Sequence, residues 1–466
     1  MSKHFWENDS ASGGEIPSSS ATIPQGFSDR TLEEICALAE TPRDEELARL
    51  YTCASDLSVD GIFIGAKRGL IKALQYFSSN NVPLTAKDGA SRNILHWAAI
   101  GGSLDTIKFC LVSAHIDPNE EDGDGNTPLY YAALNSHGEI VRFFFSYPAL
   151  NTNPINHNNC NILHAAVLSK SVDTIRTVLS MYGYSNEEQS NWDFMTMTTT
   201  SPRKRAKIDV NLQDFKSSMS PLLYAIDLCV NSPDLFAVSD LNRVDNKMNS
   251  AVHLAAKSNN VWALKYLLQK SKCSIDSKNS DSETPITLAI HHSHPEILTE
   301  LLKLSKTRGN YLPICAASGS IEMAKAVMPF SDVNGVDENG ITALMISVNR
   351  DDCAFIEFLL ENPATDVNKA NTTKQTALHI AARFNHIEPA KILVRASSLD
   401  PNVRDEDGWT PLHYACRNAH EEIVQLLLSL STIDINIPDN RGKTPLYFCM
   451  NQNIRKMIDQ KQQGAQ

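Results

Sequence analysis

Cys416 follows His413 by three residues, a spacing that one helical turn would close into a thiol–imidazole pair suited to nucleophilic chemistry. His291, His292 and His294 crowd the segment HHSHPE and offer three imidazoles to a metal ion. His96, His164, His253, His379 and His413 recur in near-identical contexts, as a row of ligands or bases would. Each of these has a plainer reading. A histidine recurring at fixed phase is a scaffold pattern. The HHSHPE rings end a short helix in a turn without cysteine nearby, so we read a solvated turn. Cys416 stands where sister segments carry Ala, so we read a packed thiol. No G-x-S-x-G, P-loop, H-E-x-x-H or kinase motif set is present. We therefore expect no enzyme activity, no catalytic residue, no cofactor and no metal.

Composition bounds the partners. Lys and Arg number 42 against 54 Asp and Glu, a net charge of −12, which is ill-suited to neutralising phosphates. Direct nucleic-acid binding is not expected. The ten cysteines form no CxxC pair and fall mostly in apolar runs, which suggests a reducing compartment. The opening MSKHFWENDSASGGEIPSSS has no apolar core of a secretory leader, and no apolar run reaches membrane-spanning length. A soluble, monomeric protein of the cytoplasm or nucleus is the expectation.

The elements that position these residues are repeats. Taking Thr410 of TPLHYAC as the anchor, equivalents stand at Asn93, Thr127, Asn161, Ser220, Ser250, Thr284, Asn310, Thr342, Thr376 and Thr444. Most spacings are 34, with one of 59 and one of 26. A weaker copy begins at Asp60. The anchor hydroxyl or carboxamide can cap a helix, and Pro suits the next position. Gly102, Asn259, Gly319 and Asn385, nine residues on, suit the left-handed turn that ends the first helix. Acids twelve residues on, such as Asp105, Glu139 and Glu422, suit the positive end of a second helix. One such unit cannot bury both helices alone, so the code must recur and the copies must stack.

The TPLH-type anchors and the period of about 33 resemble the ankyrin-repeat family over roughly residues 60–460. The resemblance implies an all-α solenoid of helix–turn–helix units with β-turn fingers and a concave protein-binding face. On that face we expect partner contacts from residues lying between the structural positions. In the N-terminal repeats these are Arg92, Trp97, Asp124, Asn126 and Tyr131. In the C-terminal repeats they are Glu338, Ile341, Lys374, Gln375, Arg383 and Phe384, followed by Glu406, Trp409, Tyr414, Arg417, Asn418 and Lys443. The aromatics should matter most, because aromatics and Arg dominate hot spots. The family also implies that finger asparagines, here Asn334, Asn368 and Asn436, are candidates for hydroxylation.

The departures from the repeat define the rest of the organisation. Residues 1–28 read as a disordered tail, 29–59 as a helical cap and 60–182 as an N-terminal block. Residues 183–208 are an insertion, 209–308 irregular repeats, and 309–460 a C-terminal block with its cap. The insertion carries PRKRAKID, in which Arg203, Lys204, Arg205 and Lys207 resemble a nuclear-import signal that an importin groove would hold as an extended strand. Ser201 precedes Pro202 and is a phosphorylation candidate that would reduce this positive charge. The expected function is a non-enzymatic interaction scaffold. Two alternatives are an effector secreted by an intracellular microbe and a cysteine hydrolase hidden in the irregular segments.

Overall fold

The computed structural model describes residue 53 and residues 57–184, 207–270, 274–305 and 309–464. The expected tail, most of the expected cap, and Ser201, Arg203, Lys204 and Arg205 lie outside the described residues. Among the described residues the fold is all-α, built from helical hairpins, with no strand and two isolated bridges, Val244–Ser250 and Val336–Thr342. The chain divides into two compact units at His157 and Asn158.

Unit one holds α1 (Asp60–Lys67), α2 (Ile71–Ser79), α3 (Ile94–Gly101), α4 (Leu104–Val112), α5 (Pro128–Leu134) and α6 (Gly138–Ser146). Unit two starts with α7 (Ile162–Leu168), α8 (Val172–Met181), α9 (Pro221–Asp227), α10 (Pro233–Val238), α11 (Ala251–Ser258) and α12 (Val261–Lys270). It continues with α13 (Pro285–His291), α14 (Pro295–Leu304), α15 (Leu312–Ser318), α16 (Ile321–Val327), α17 (Ala343–Asn349) and α18 (Cys353–Leu360). It ends with α19 (Ala377–Phe384), α20 (Ile387–Leu393), α21 (Pro411–Arg417), α22 (Glu421–Leu428), α23 (Pro445–Phe448) and α24 (Gln452–Gly464). Within each unit, first helices pack on first helices in sequence order. The paired alanines Ala98–Ala99, Ala132–Ala133 and Ala381–Ala382 are fully buried, which allows that close approach. In unit two one apolar cluster runs from Met219 to Ile458.

Local chemistry sets the helix ends. Asn93, Thr127, Asn161, Ser220 and Thr342 each accept a backbone N–H of the following turn. Before the last repeat, the residue nine after the anchor is left-handed whatever its type. It is Gly102, Asn259 and Asn385, and equally Ser136, Lys170, Cys229, Asp351 and Ala419. One anchor differs from expectation. Helix α15 starts at Leu312 with Tyr311 as an uncapped N-cap, so Asn310 does not cap it. Asn310 Nδ2 instead donates to the Val336 carbonyl at 2.9 Å, because the linker here is too short to bring it to the helix end.

Between hairpins the chain forms fingers that hydrogen-bond in series. Each donor follows the finger Asp or Asn by one residue, and each acceptor in the preceding finger lies just past its own. Thus Ser280 N–H donates to Lys247 O at 2.9 Å, Glu406 to Thr373 O at 3.1 Å and Asn440 to Asp407 O at 3.0 Å. At the finger bases, Asn334, Asn368 and Asn402 donate to the Ala364, Ser398 and Thr432 carbonyls at 2.6–2.7 Å. Their Oδ1 atoms accept from the Asp366, Asp400 and Asp434 N–H groups at 2.7–2.8 Å. The insertion leaves and rejoins unit two where Tyr184 Oη donates to the Ile208 carbonyl at 3.2 Å.

Candidate functional site

The recurring histidines are scaffold groups. Each Nδ1 faces its own N-cap residue, and each Nε2 reaches a carbonyl near the following anchor. The Nε2 distances are 3.1 Å from His96 to Asn126 O, 3.1 Å from His379 to Trp409 O and 3.1 Å from His413 to Lys443 O. Burial pushes all five rings below their ordinary pKa, His164 to about 4, so they are neutral links near pH 7. His413 thus has both nitrogens occupied. Its neighbour Cys416 is fully buried, and burial pushes its thiol pKa up, the opposite of an activated nucleophile. The HHSHPE rings are drawn to different partners, His291 to Glu283 at 3.0 Å and His294 to the Lys257 carbonyl at 3.0 Å. No cluster suited to a metal ion is present among the described residues.

The aromatics four residues after the anchor have a role that sequence reading missed. In three fingers an Asp folds the turn by accepting backbone N–H groups, then receives the aromatic tip. Asp405 Oδ1 accepts from the Asp407 and Trp409 N–H groups at 3.0 and 2.8 Å, and Oδ2 accepts from Tyr414 Oη at 2.7 Å. Asp122 treats the Asp124 and Asn126 N–H groups and Tyr131 Oη in the same way, the last at 2.6 Å. Asp88 takes Trp97 Nε1 at 3.0 Å and pairs with Arg92 at 2.8 Å. Burial, then the bond to Asp405, raises the Tyr414 hydroxyl pKa to about 12. These aromatics therefore brace the fingers, each over a gap of nine residues. An Asp paired with an aromatic nine positions on would have been the signal.

Two of the expected contact residues are not accessible. Asn126 is 9% exposed and holds Asn156 Nδ2 at 2.9 Å. Trp409 is also 9% exposed, because Phe448 of the next repeat lies 4.6 Å away and Tyr414 lies 5.0 Å away, centroid to centroid. Its indole serves as a floor, over which the Arg417 guanidinium stands at 5.1 Å. In unit one, Arg92 covers the half-buried Trp97 at 4.4 Å, while Asp124 is exposed. In unit two, Glu338 and Lys374 are exposed and Ile341 is half-buried. Lys443 rests over Tyr447 at 4.0 Å.

Six of the expected residues converge on one groove of about 550 Å³ in unit two: Gln375, Arg383, Glu406, Tyr414, Arg417 and Asn418, joined by Thr373, Asp405 and Asp407. Gln375 Nε2 donates to Tyr414 Oη at 2.8 Å, and Asn418 Nδ2 donates to the Arg383 carbonyl at 2.9 Å. Arg383 sits over Phe384 at 5.2 Å, and that ring is 52% exposed. Neither Arg383 nor Arg417 has an ion-pair partner among the described residues. The finger side of the groove is acidic, through Glu406 and Asp407. The groove thus offers two held guanidiniums facing carboxylates, a surface made for planar anionic groups at one wall and cations at the other.

A family model described as ankyrin repeats (3 copies) matches residues 62–153, 95–190, 227–310, 312–405 and 394–460. The chain is similar to a poly [ADP-ribose] polymerase tankyrase of Caenorhabditis elegans, 26% identical over 219 residues, 47% of this chain and 8% of that protein. It is similar to a putative palmitoyltransferase ZDHHC13 of Danio rerio, 26% identical over 234 residues, 47% of this chain and 36% of that one. It also resembles the mitochondrial liver-isoform glutaminase of Mus musculus, 36% identical over 90 residues, 19% of this chain and 15% of the enzyme. The chain thus spans only about a third or less of these relatives' lengths. With matches along most of its length, this chain belongs to the ankyrin-repeat family, whose repeats are protein-interaction modules.

Proposed function

We propose that the chain is a non-enzymatic interaction protein that seats a partner polypeptide in the groove between Thr373 and Asn418. The observation that carries this reading is the pair of guanidiniums, Arg383 and Arg417, at equivalent positions of adjacent repeats. Both are exposed, both rest over aromatic rings, and neither has an ion-pair partner among the described residues. Held cations of this kind lose little rotamer freedom on binding, and a ligand carboxylate supplies what they lack. Ligand cations would meet Glu406 and Asp407. The partner is therefore a protein segment carrying both acidic and basic side chains, and the action is occlusion or scaffolding.

The test is the Arg383→Ala/Arg417→Ala variant, compared with the intact chain in affinity purification and in a binding titration with the partner recovered. Affinity should fall at least tenfold with the unfolding midpoint unchanged. Equal affinity in both chains would reject the groove. The basic stretch Arg203–Lys207 supports a second element of this reading, carriage into the nucleus on an importin. Neutralising Lys204 and Arg205 should remove nuclear enrichment of a tagged copy, and an unaltered distribution rejects it.

A further inference from the structure

The groove in unit two is bounded along the repeats. Arg383 and Arg417 each stand seven residues after an anchor, Thr376 and Thr410, on helices α19 and α21 that pack on each other. By the same count the repeat before carries Asn349 and the repeat after carries Asn451. The guanidinium row is therefore two groups long. Packed helices lie about 8–10 Å apart, which sets the spacing at which equivalent positions of neighbouring repeats present their charges. Arg417 stands over Trp409 at 5.1 Å, and Arg383 over Phe384 at 5.2 Å and Tyr414 at 6.0 Å. These ring contacts hold both guanidiniums near that spacing.

Few backbone forms place two side chains on one face at this spacing. A β-strand repeats a face every second residue, at about 6.8 Å and then about 13.6 Å. An α-helix does so at about 6 Å for i, i+4 and at about 10.5 Å for i, i+7. Polyproline II has three residues per turn and a rise of about 3.1 Å, so i and i+3 share a face about 9.3 Å apart. The rings of the groove favour the last of these. Tyr414 is half-buried and Phe384 is exposed, and proline-rich segments in this conformation dock on aromatic-lined grooves. The conformation is also preformed, so little freedom is lost on binding. The opposite wall selects the anion. Asp405, Glu406 and Asp407 line it. A phosphate of nearly two charges would face all three, whereas a carboxylate brings one charge and meets a guanidinium fork in two parallel bonds.

We infer that the ligand is a polyproline II segment of a partner protein with two acidic side chains three residues apart, one for Arg383 and one for Arg417; this rests on the groove reading given under the proposed function. A proline and a basic residue fill the two places between the acids. The three faces of such a segment turn to the helix wall, the finger wall and solvent. The acids meet the arginines, and the basic residue meets Glu406 and Asp407, which are exposed. The direction in which the segment runs decides which middle place holds the cation. A third acid in register would meet only Asn349 or Asn451, so two acids complete the match.

The probes are labelled synthetic peptides of one length in a proline-rich frame, with the core EPKE or EKPE, titrated by fluorescence anisotropy into the full chain. One of the two should bind roughly tenfold tighter than peptides whose glutamates stand two, four or seven places apart. Changing one glutamate to Gln should cost roughly tenfold with the intact chain and about twofold or less with Arg383→Ala, and the other glutamate should show the same split with Arg417→Ala. Arg383→Lys/Arg417→Lys keeps both charges but loses the forks, so binding should weaken severalfold. Glu406→Gln/Asp407→Asn should erase the preference for Lys over Gln in the core. The proposal is overturned by equal binding at all spacings, by tightest binding at two or four places, as a strand would give, or at seven, as a helix would give. It is equally overturned by tighter binding when phosphoserine replaces both glutamates, or by no binding at millimolar peptide. The groove itself is judged separately, by the recovered partner and the Arg383→Ala/Arg417→Ala variant. Partner binding that still needs both arginines while no peptide binds rejects the acidic polyproline ligand and keeps the groove.

Discussion

At the residue scale, the histidine links set how the protein responds to acid. His164 is fully buried and its pKa is pushed down to about 4, against an ordinary value of 6.5. A ring depressed in the folded state is charged earlier in the unfolded chain. Its contribution is thus fully present above pH 6.5 and is lost as pH falls toward about 4. For His164 alone this is on the order of 3 kcal/mol below that window. His96, His253, His379 and His413 shift in the same direction. We expect the urea midpoint to fall between pH 6.5 and 4, and His164→Gln to flatten that slope while costing stability at pH 7. A pH-independent midpoint over this range would contradict the assignment. These links were legible because TPLH-type anchors repeat at fixed phase. The roles of Trp97, Tyr131 and Tyr414 were not, because an exposed hot spot and a braced aromatic have the same spelling. Only the finger Asp, distant in sequence, and Phe448 in the next repeat separate the two.

At the element scale, the turn between paired helices is dictated by position and only sometimes honoured by residue type. Ala419 holds φ of 58° and Asp351 the same value, where Gly102 meets the same demand without a Cβ penalty. The left-handed conformation costs an L-residue about 1–2 kcal/mol, and glycine loses about 0.4–1 kcal/mol through its freer unfolded chain. The first effect is the larger. Ala419→Gly should therefore raise stability by about 0.5–1 kcal/mol, read as a higher urea midpoint with unchanged slope. A lower midpoint would show that the Ala419 methyl contributes packing that its exposure conceals. Helix starts could be read from Thr, Ser or Asn followed by Pro or an aliphatic. Asn310 broke the rule because its linker is too short to form the finger that normally delivers the cap.

At the scale of the whole molecule, stability is a sum of hairpins and the interfaces between neighbours. The short linker before Asn310 leaves one interface to helix packing and the bond from Asn310 to the Val336 carbonyl. Trp262 lies before that interface and Trp409 after it. Chains retaining one tryptophan or the other should unfold in urea at different midpoints, with coincident curves refuting a weak interface. Repeat number and most repeat boundaries followed from periodic anchors alone. The division at His157 and Asn158 did not, since the spacing of 34 is unbroken across it. The bond from Tyr184 to the Ile208 carbonyl has a different consequence. It makes the insertion a splice point: with its two stems clamped, doubling the length of the intervening sequence adds only about 0.6 kcal/mol of closure entropy. A fluorescent cargo spliced into that passage should leave the unfolding midpoint of the flanking hairpins within that small closure cost.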